Sequence, residues 1–299
     1  MATATLRTPV SPVPDAPRRK VWSWSQPWVY LVALVAVGMS VGPFLWVALG
    51  GARTNPQLLT DPAGLPSPWN WSNYSEILWG EFAGRFWGQV MTSSIVAIGT
   101  TAAVVVLGTS VAYAIARFPI RGTGALFSVF AAGLMFPATV GILPTWMMLN
   151  GMNLVGNPLG VIIPQVAFAL PTTVVILTPF VKAIPKEIEE AAEIDGCTKT
   201  SFFFRILLPL ARPGMVTVGV LAFVGSWNAF MLPLFVLGAG GAGPTRHTLP
   251  LGVQMFQTQF SASMTSIMAF TTLASIPALI FFLAMQKYIV NGLSGAVKG

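Results

Sequence analysis

Six long apolar runs, set apart by polar stretches, give the chain its pattern: Trp28–Leu49, Val90–Ala116, Ala125–Leu149, Leu159–Val181, Met215–Leu237 and Ser266–Tyr288. No Asp, Glu, Lys or Arg interrupts them, apart from Lys287 at the end of the last. About 20 residues at ~1.5 Å rise cross the ~30 Å of a hydrocarbon core, so each run is long enough for a transmembrane helix. A membrane β-barrel would instead alternate polar and apolar residues in short segments. The pattern predicts an all-α integral membrane protein with six transmembrane helices, whose backbones satisfy their own hydrogen bonds in lipid. The organisation read from it is a tail over 1–27, a first helix and loop over 28–88, a helical core over 89–289 and a C-terminal tail over 290–299.

One polar break, Lys182–Pro213, holds five of the nine acidic residues: Glu187, Glu189, Glu190, Glu193 and Asp195. Pro185 suits the first position of a helix, and the glutamates near that start complement the helix dipole. Glu187, Glu190, Ala191 and Ile194 recur at i, i+3, i+4 and i+7 and define one face. Gly196 suits a left-handed cap. A second helix is predicted over Thr198–Leu208, ending where Pro209 turns the chain. Two short helices with small residues at their junction make a knob that fits a partner's groove, with Glu190 placed to meet an arginine.

Composition and charge narrow the class. Charged residues make up 8% of the 299, against about 25% in soluble domains, and mean hydropathy is +0.72. The net charge of +7 is spread over short loops with no basic stripe or aromatic platform, which points to membrane topology rather than nucleic acid. With the amino terminus inside, thirteen cations, Arg117 among them, fall on the cytoplasmic side and only Arg53, Arg85 and Arg246 outside. Both termini and the acidic island are therefore expected in the cytoplasm. The apolar run after Arg18-Arg19 is too long for a cleavable signal and reads as a retained span. Outside, Gly50–Gln89 is dense in Pro and Trp, which suits an interfacial belt or a docking surface. Gly238–Thr265, with Gln254, Gln257 and Gln259, suits a surface helix or one dipping into a cavity.

Cys197 and His247 are the only residues of their types, which excludes an intrachain disulfide and weighs against a metal centre. An integral-membrane transferase would have to draw on Glu76, Glu81 and His247 outside or the island carboxylates inside. The latter, as neighbours on one helix, read as a solvated face. The spans carry no ionisable relay and the chain has no phosphate-binding Walker sequence. Uphill transport would draw its energy from another subunit. Met147, Asn150, Gln165, Trp227 and Asn228 offer neutral polar or aromatic surface in or beside the spans, suited to a hydroxyl-rich solute or to helix packing and capping.

Glu190-Ala191-Ala192, then Asp195-Gly196, Ile206, Leu208-Pro209 and Pro213, together resemble the EAA loop of permease subunits of bacterial ABC importers. Trp227-Asn228, Gln286-Lys287-Tyr288, Gly292-Leu293 and the ending GAVKG resemble the maltose-transporter G-type permeases of the carbohydrate-uptake group. Pro137, Pro144, Leu154 and Pro158 also fit that group. The sequence departs from it at Thr92-Ser93-Ser94, Trp146 and Cys197.

The resemblance implies the type I importer permease fold in a bacterial inner membrane. It also implies an assembly with a second, F-type permease, two ATPase subunits and an extracytoplasmic solute-binding protein. Glu190, Ala191, Ala192, Asp195 and Gly196 would belong to a coupling helix seated in an ATPase subunit. Gly295, Ala296, Val297, Lys298 and Gly299 would reach towards the ATPase interface. ATP and Mg²⁺ would bind the ATPase subunits, and this chain would hold no cofactor. The implied cargo is a sugar, much of whose site lies on the F-type chain; a polyamine or glycerol phosphate is the alternative.

Overall fold

The computed structural model describes residues 27–118, 121–238, 243–257 and 263–296, with side chains as far as Gln286. The predicted tail up to residue 26, Gln259, and Val297, Lys298 and Gly299 lie outside the described residues. The chain divides into two compact units after Leu45. Helix α1 (Pro27–Gly51) supplies the described part of the first.

The second unit takes in the end of α1 from Trp46, then two short helices, α2 (Asn55–Thr60) and α3 (Ser72–Leu78), followed by the long α4 (Ala83–Arg117). Next come α5 (Thr123–Gly133), α6 (Ala138–Gly151) and α7 (Pro158–Lys182). The acidic island forms α8 (Lys186–Ile194) and α9 (Lys199–Phe202), which leads through a π turn, Phe203–Leu207, into α10 (Leu208–Trp227). Short turns α11 (Met231–Pro233) and α12 (Leu249–Gly252) precede α13 (Met264–Ala296). The described residues contain no β-strand. Among the described residues five helices are long and apolar enough to cross a membrane, and the α5–α6 pair raises the number to six if counted as one span. The all-α, six-span expectation is borne out.

Four features differ from the sequence reading. The third span is not one rod over Ala125–Leu149: α5 and α6 meet at 97°. Pro137 explains the break, because it has no N–H to continue the ladder and holds the residue before it out of helical geometry. Its own backbone is extended, at φ −71° and ψ 113°. The fifth span does not cover Met215–Leu237 but runs from Lys199 to Trp227, after which Asn228 caps it. Pro209 does not turn the chain. Widening of the helix at Phe203–Leu207, where the Leu208 N–H reaches the Phe203 carbonyl, relieves the clash a proline ring would make with the carbonyl four residues back. The island's first helix begins one residue later than expected, with Pro185 as its N-cap.

Helices α4, α7 and α10 form the centre of the second unit, and α13 packs beside α10. At the island end, Ala112 and Tyr113 of α4, Leu177 and Val181 of α7, and Leu207 and Ala211 of the α10 rod share a buried cluster with Ala192 and Phe202. At the opposite end Phe86, Phe223, Trp227, Leu249 and Phe270 close another. Between α4, α7 and the segment after α10, Val96, Leu149, Val161 and Val236 make a third. Interlocking small residues let these rods approach closely, as membrane helices require.

Gly160 shows the tolerance of this packing. A Cβ there would lie 2.3 Å from the Leu154 carbonyl oxygen and 3.0 Å from Val236. The Leu154 turn is itself tied down by the Gly156 N–H bonding the Val236 carbonyl at 2.7 Å. Gly160→Ala is expected to destabilise the purified protein by about 1–3 kcal/mol, read as a lower thermal midpoint. An unchanged midpoint would contradict the close approach.

Candidate functional site: an anchored knob and a polar cleft

Helix α8 sorts its residues onto two faces. Ile188, Glu189 and Ala192 turn inward, Ala192 being buried in the cluster at the ends of α4 and α7. Glu187, Glu190, Ala191 and Ile194 are exposed, with Ile194 86% open to solvent. That outward face is the one traced by the i, i+3, i+4, i+7 spacing.

The end of α8 is tightly made. Gly196 sits at φ 77°; its N–H bonds the Glu193 carbonyl at 3.0 Å, and the Cys197 N–H bonds that of Ala192 at 2.9 Å. These paired bonds are a Schellman closure, and the positive φ is why glycine stands there. Thr198 then caps α9, its hydroxyl accepting from the Ser201 N–H at 3.2 Å. Asp195 is the exposed C-cap residue between the two helices. Cys197 is a free thiol, half-buried against the cluster.

What holds the knob to the rods is Arg117, the last residue of α4, with only 3% of its side chain exposed. Its Nη2 donates to the Val181 carbonyl at 3.0 Å and also to the carbonyl of Ile184. These acceptors lie at and just past the C-terminus of α7, where carbonyls lack helical partners and the dipole is negative. Arg117 Nε lies 3.8 Å from Glu189 Oε2, an ion pair too long for a hydrogen bond; Glu189 is 15% exposed. Around them Tyr113 packs against Phe118 and Phe203, ring centroids 5.3 Å apart in each case. Lys199 Nζ stands 5.4 Å above the Phe118 ring and 4.0 Å from Glu193. One guanidinium therefore joins α4, α7 and α8. Neither Arg117 nor Glu189 stood out as a site residue in the sequence. The only hint was that Ile188 and Ala192 imply an inward face, which Glu189 must share.

The second feature is a cleft of ≈ 300 Å³ between α4, the first turns of α6, α7 and α10. Ile142, Phe168, Leu221 and Leu232 make it apolar, and Thr100, Gln165 and Ser226 are its polar side. Gln165 Oε1 accepts from the Thr100 hydroxyl at 3.1 Å and the Ser226 hydroxyl at 2.5 Å. Of the five path candidates only Gln165 lines this cleft. Met147 and Asn150 are exposed on α6. Trp227 is buried, stacked on Phe223, its Nε1 donating to the Ala274 carbonyl at 3.3 Å. Asn228 is the exposed cap of α10. Thr100 and Ser226 escaped notice because a lone hydroxyl in a span ordinarily bonds its own helix, as Thr101 does with the Ala97 carbonyl.

The transferase candidates do not gather. Glu76 Oε2 accepts from the Glu81 N–H at 3.2 Å. Burial pushes the pKa of His247 below its ordinary value, so it is neutral at pH 7. Among the described residues no three His, Cys, Asp or Glu side chains converge.

The apolar helices, the acidic knob and the polar cleft are features of a multi-pass inner-membrane permease component. Residues 104–295 match the family described as binding-protein-dependent transport system inner membrane component, and the chain belongs to it. It is 33% identical to the trehalose transport system permease protein SugB of Mycobacterium tuberculosis, over 91% of this chain and 97% of that one. With the diacetylchitobiose uptake system permease protein NgcG of Streptomyces coelicolor it shares 31% identity over 84% and 82%. In fold it resembles a chain in the crystal structure of a bacterial ABC transporter involved in the import of the acidic polysaccharide alginate. The TM-score is 0.72 at 20% identity, covering 89% of this chain and 98% of that one.

Glu189→Gln removes the charge that faces Arg117 while keeping the shape. It is expected to cost about 1–2 kcal/mol and to speed amide hydrogen exchange along α8. Glu190→Gln, on the outward face, should change neither. Equal exchange in the two variants would show that Glu189 does not hold the knob.

Proposed function

We propose that this chain is one of two permease subunits in an ATP-driven importer of a sugar, with the outward face of α8 seated in a cytosolic ATPase subunit. The observation that carries this reading is the two-faced helix. Glu187, Glu190, Ala191 and Ile194 are presented outward, while Arg117 fixes the inner face to α4 and α7. A knob held in this way can transmit a push instead of bending. Glu190 would meet a cation of the ATPase subunit, and Ala191 would allow close approach. Ala192, Asp195 and Gly196 would contribute by shaping the knob and its turn.

The distribution of cations supports both termini and α8 facing the cytoplasm. The other three components are then an F-type permease, a pair of ATPases carrying ATP and Mg²⁺, and an external binding protein that delivers the solute. ATP-driven closure of the ATPases would draw the knobs together and turn the cleft outward, the rods moving as rigid bodies. The tail from Gly295 and Ala296 to Val297, Lys298 and Gly299 would report on that closure. Sugar as cargo is supported by relatives named for trehalose and diacetylchitobiose and by a cleft whose lining carries no charge.

Glu190→Arg reverses the charge at the centre of the docking face. The chain should insert and fold normally, while solute uptake by the complete importer falls about tenfold or more. Unimpaired uptake with normal ATPase binding would refute the docking role. Removing residues 295–299 should weaken stimulation of ATP hydrolysis more than assembly; equal stimulation in full-length and truncated complexes would discount the tail.

A further inference from the structure

We infer that Gln165, held between Thr100 and Ser226, is a recognition site on this chain for a hydroxyl group of the sugar in transit. The inference rests on the sugar reading above and goes further, since the maltose-transporter resemblance places much of the sugar site on the other permease.

Gln165 Oε1 takes both neighbouring hydroxyls, from Thr100 and Ser226, and Nε2 is buried with no partner. Both hydroxyls can donate or accept, so turning the amide over only exchanges its two ends. In either orientation one polar end of Gln165 is left over. An unpaired buried amide end is costly. Thr173 and Thr178 on the same helix satisfy themselves on carbonyls four residues back. Thr100 and Ser226 instead spend their hydroxyls across helices on one side chain.

The chemistry of the ligand follows from what is left over. A sugar hydroxyl both donates and accepts, so it satisfies the free amide end whichever end that is. Gln165 lines the cleft, which is where a solute hydroxyl would meet it. Phe168 and Leu221 offer the apolar wall against which the C–H face of a sugar ring rests, and Thr139, in the first turn of α6, adds a hydroxyl from across the bend. A cation or a carboxylate would lose its hydration here and find no opposite charge in the lining.

The test uses the complete importer in proteoliposomes, supplied with its binding protein and offered radiolabelled trehalose, N,N′-diacetylchitobiose and maltose. Gln165→Met keeps the side-chain volume and removes both polar ends; Ser226→Ala loosens the amide and carries the test should the first variant fail to assemble. The expected result is an uptake rate reduced about tenfold in Gln165→Met and less in Ser226→Ala, with binding-protein-stimulated ATP hydrolysis unchanged. More ATP is then spent per sugar moved. Uptake equal to wild type in the variant that assembles overturns the site and leaves the sugar reading standing. A parallel fall in uptake and ATP hydrolysis shows a purely structural role and also overturns it. Failure of the wild-type importer to take up any of the three sugars overturns the sugar reading itself, and the site with it.

Discussion

A buried guanidinium at the junction of three helices is the constraint on which the rest of the second unit depends. Arg117 is nearly closed off from solvent, and removing the partners of a buried charge is strongly destabilising. The matching groups are the carbonyls of Val181 and Ile184 and the carboxylate of Glu189. They belong to the end of α7, the turn after it, and α8. Moving any one of the three away from the others would strand the charge. The cost of stranding it is what makes them a single body.

That body reaches the cleft directly. Thr100 lies 17 residues before Arg117 on α4 and Gln165 lies 16 before Val181 on α7, so each helix spans about 24–26 Å between its two functional points. The same two rods thus carry the anchor of the knob at one end and the polar wall of the cleft near the middle. Ser226, near the end of α10, completes that wall, and α10 grows without interruption out of the knob's second helix through the π turn. A displacement of α8 therefore arrives at Thr100, Gln165 and Ser226 through three continuous helices. The first turns of α6 form the opposing side.

Much of this was legible in the sequence because lipid imposes it. Apolar runs of 20 or more residues leave few alternatives, and the spacing of Glu187, Glu190, Ala191 and Ile194 traced the outward face of α8. Gly196 was legible as a cap for the same local reason: only a left-handed residue ends a helix that way cheaply. The failures are equally physical. Pro209 looked like a terminator because its local rule assumes an ordinary helix, and a π turn upstream relaxes that rule. Pro137 gave a real break signal that the apolar length of the run obscured. Arg117 and Glu189 are 72 residues apart, as are no features a local pattern can connect, and each carries a sufficient local explanation as a helix-end charge. The Thr100–Gln165–Ser226 contact is invisible for the same reason, since it exists only once α4, α7 and α10 are packed.

The central claim is that α8 and the ends of α4 and α7 move together. Spin labels at Glu187→Cys on α8 and Val106→Cys on α4, with Cys197→Ser removing the native thiol, would measure it in the complete importer by pulsed dipolar spectroscopy. The distance is expected to stay the same, within about 2 Å, between the nucleotide-free and ATP-bound states. In the same samples made with Arg117→Gln the distribution should broaden. A shift of several ångströms in the native Arg117 background would mean that the knob swings independently of the rods, and the account would be wrong.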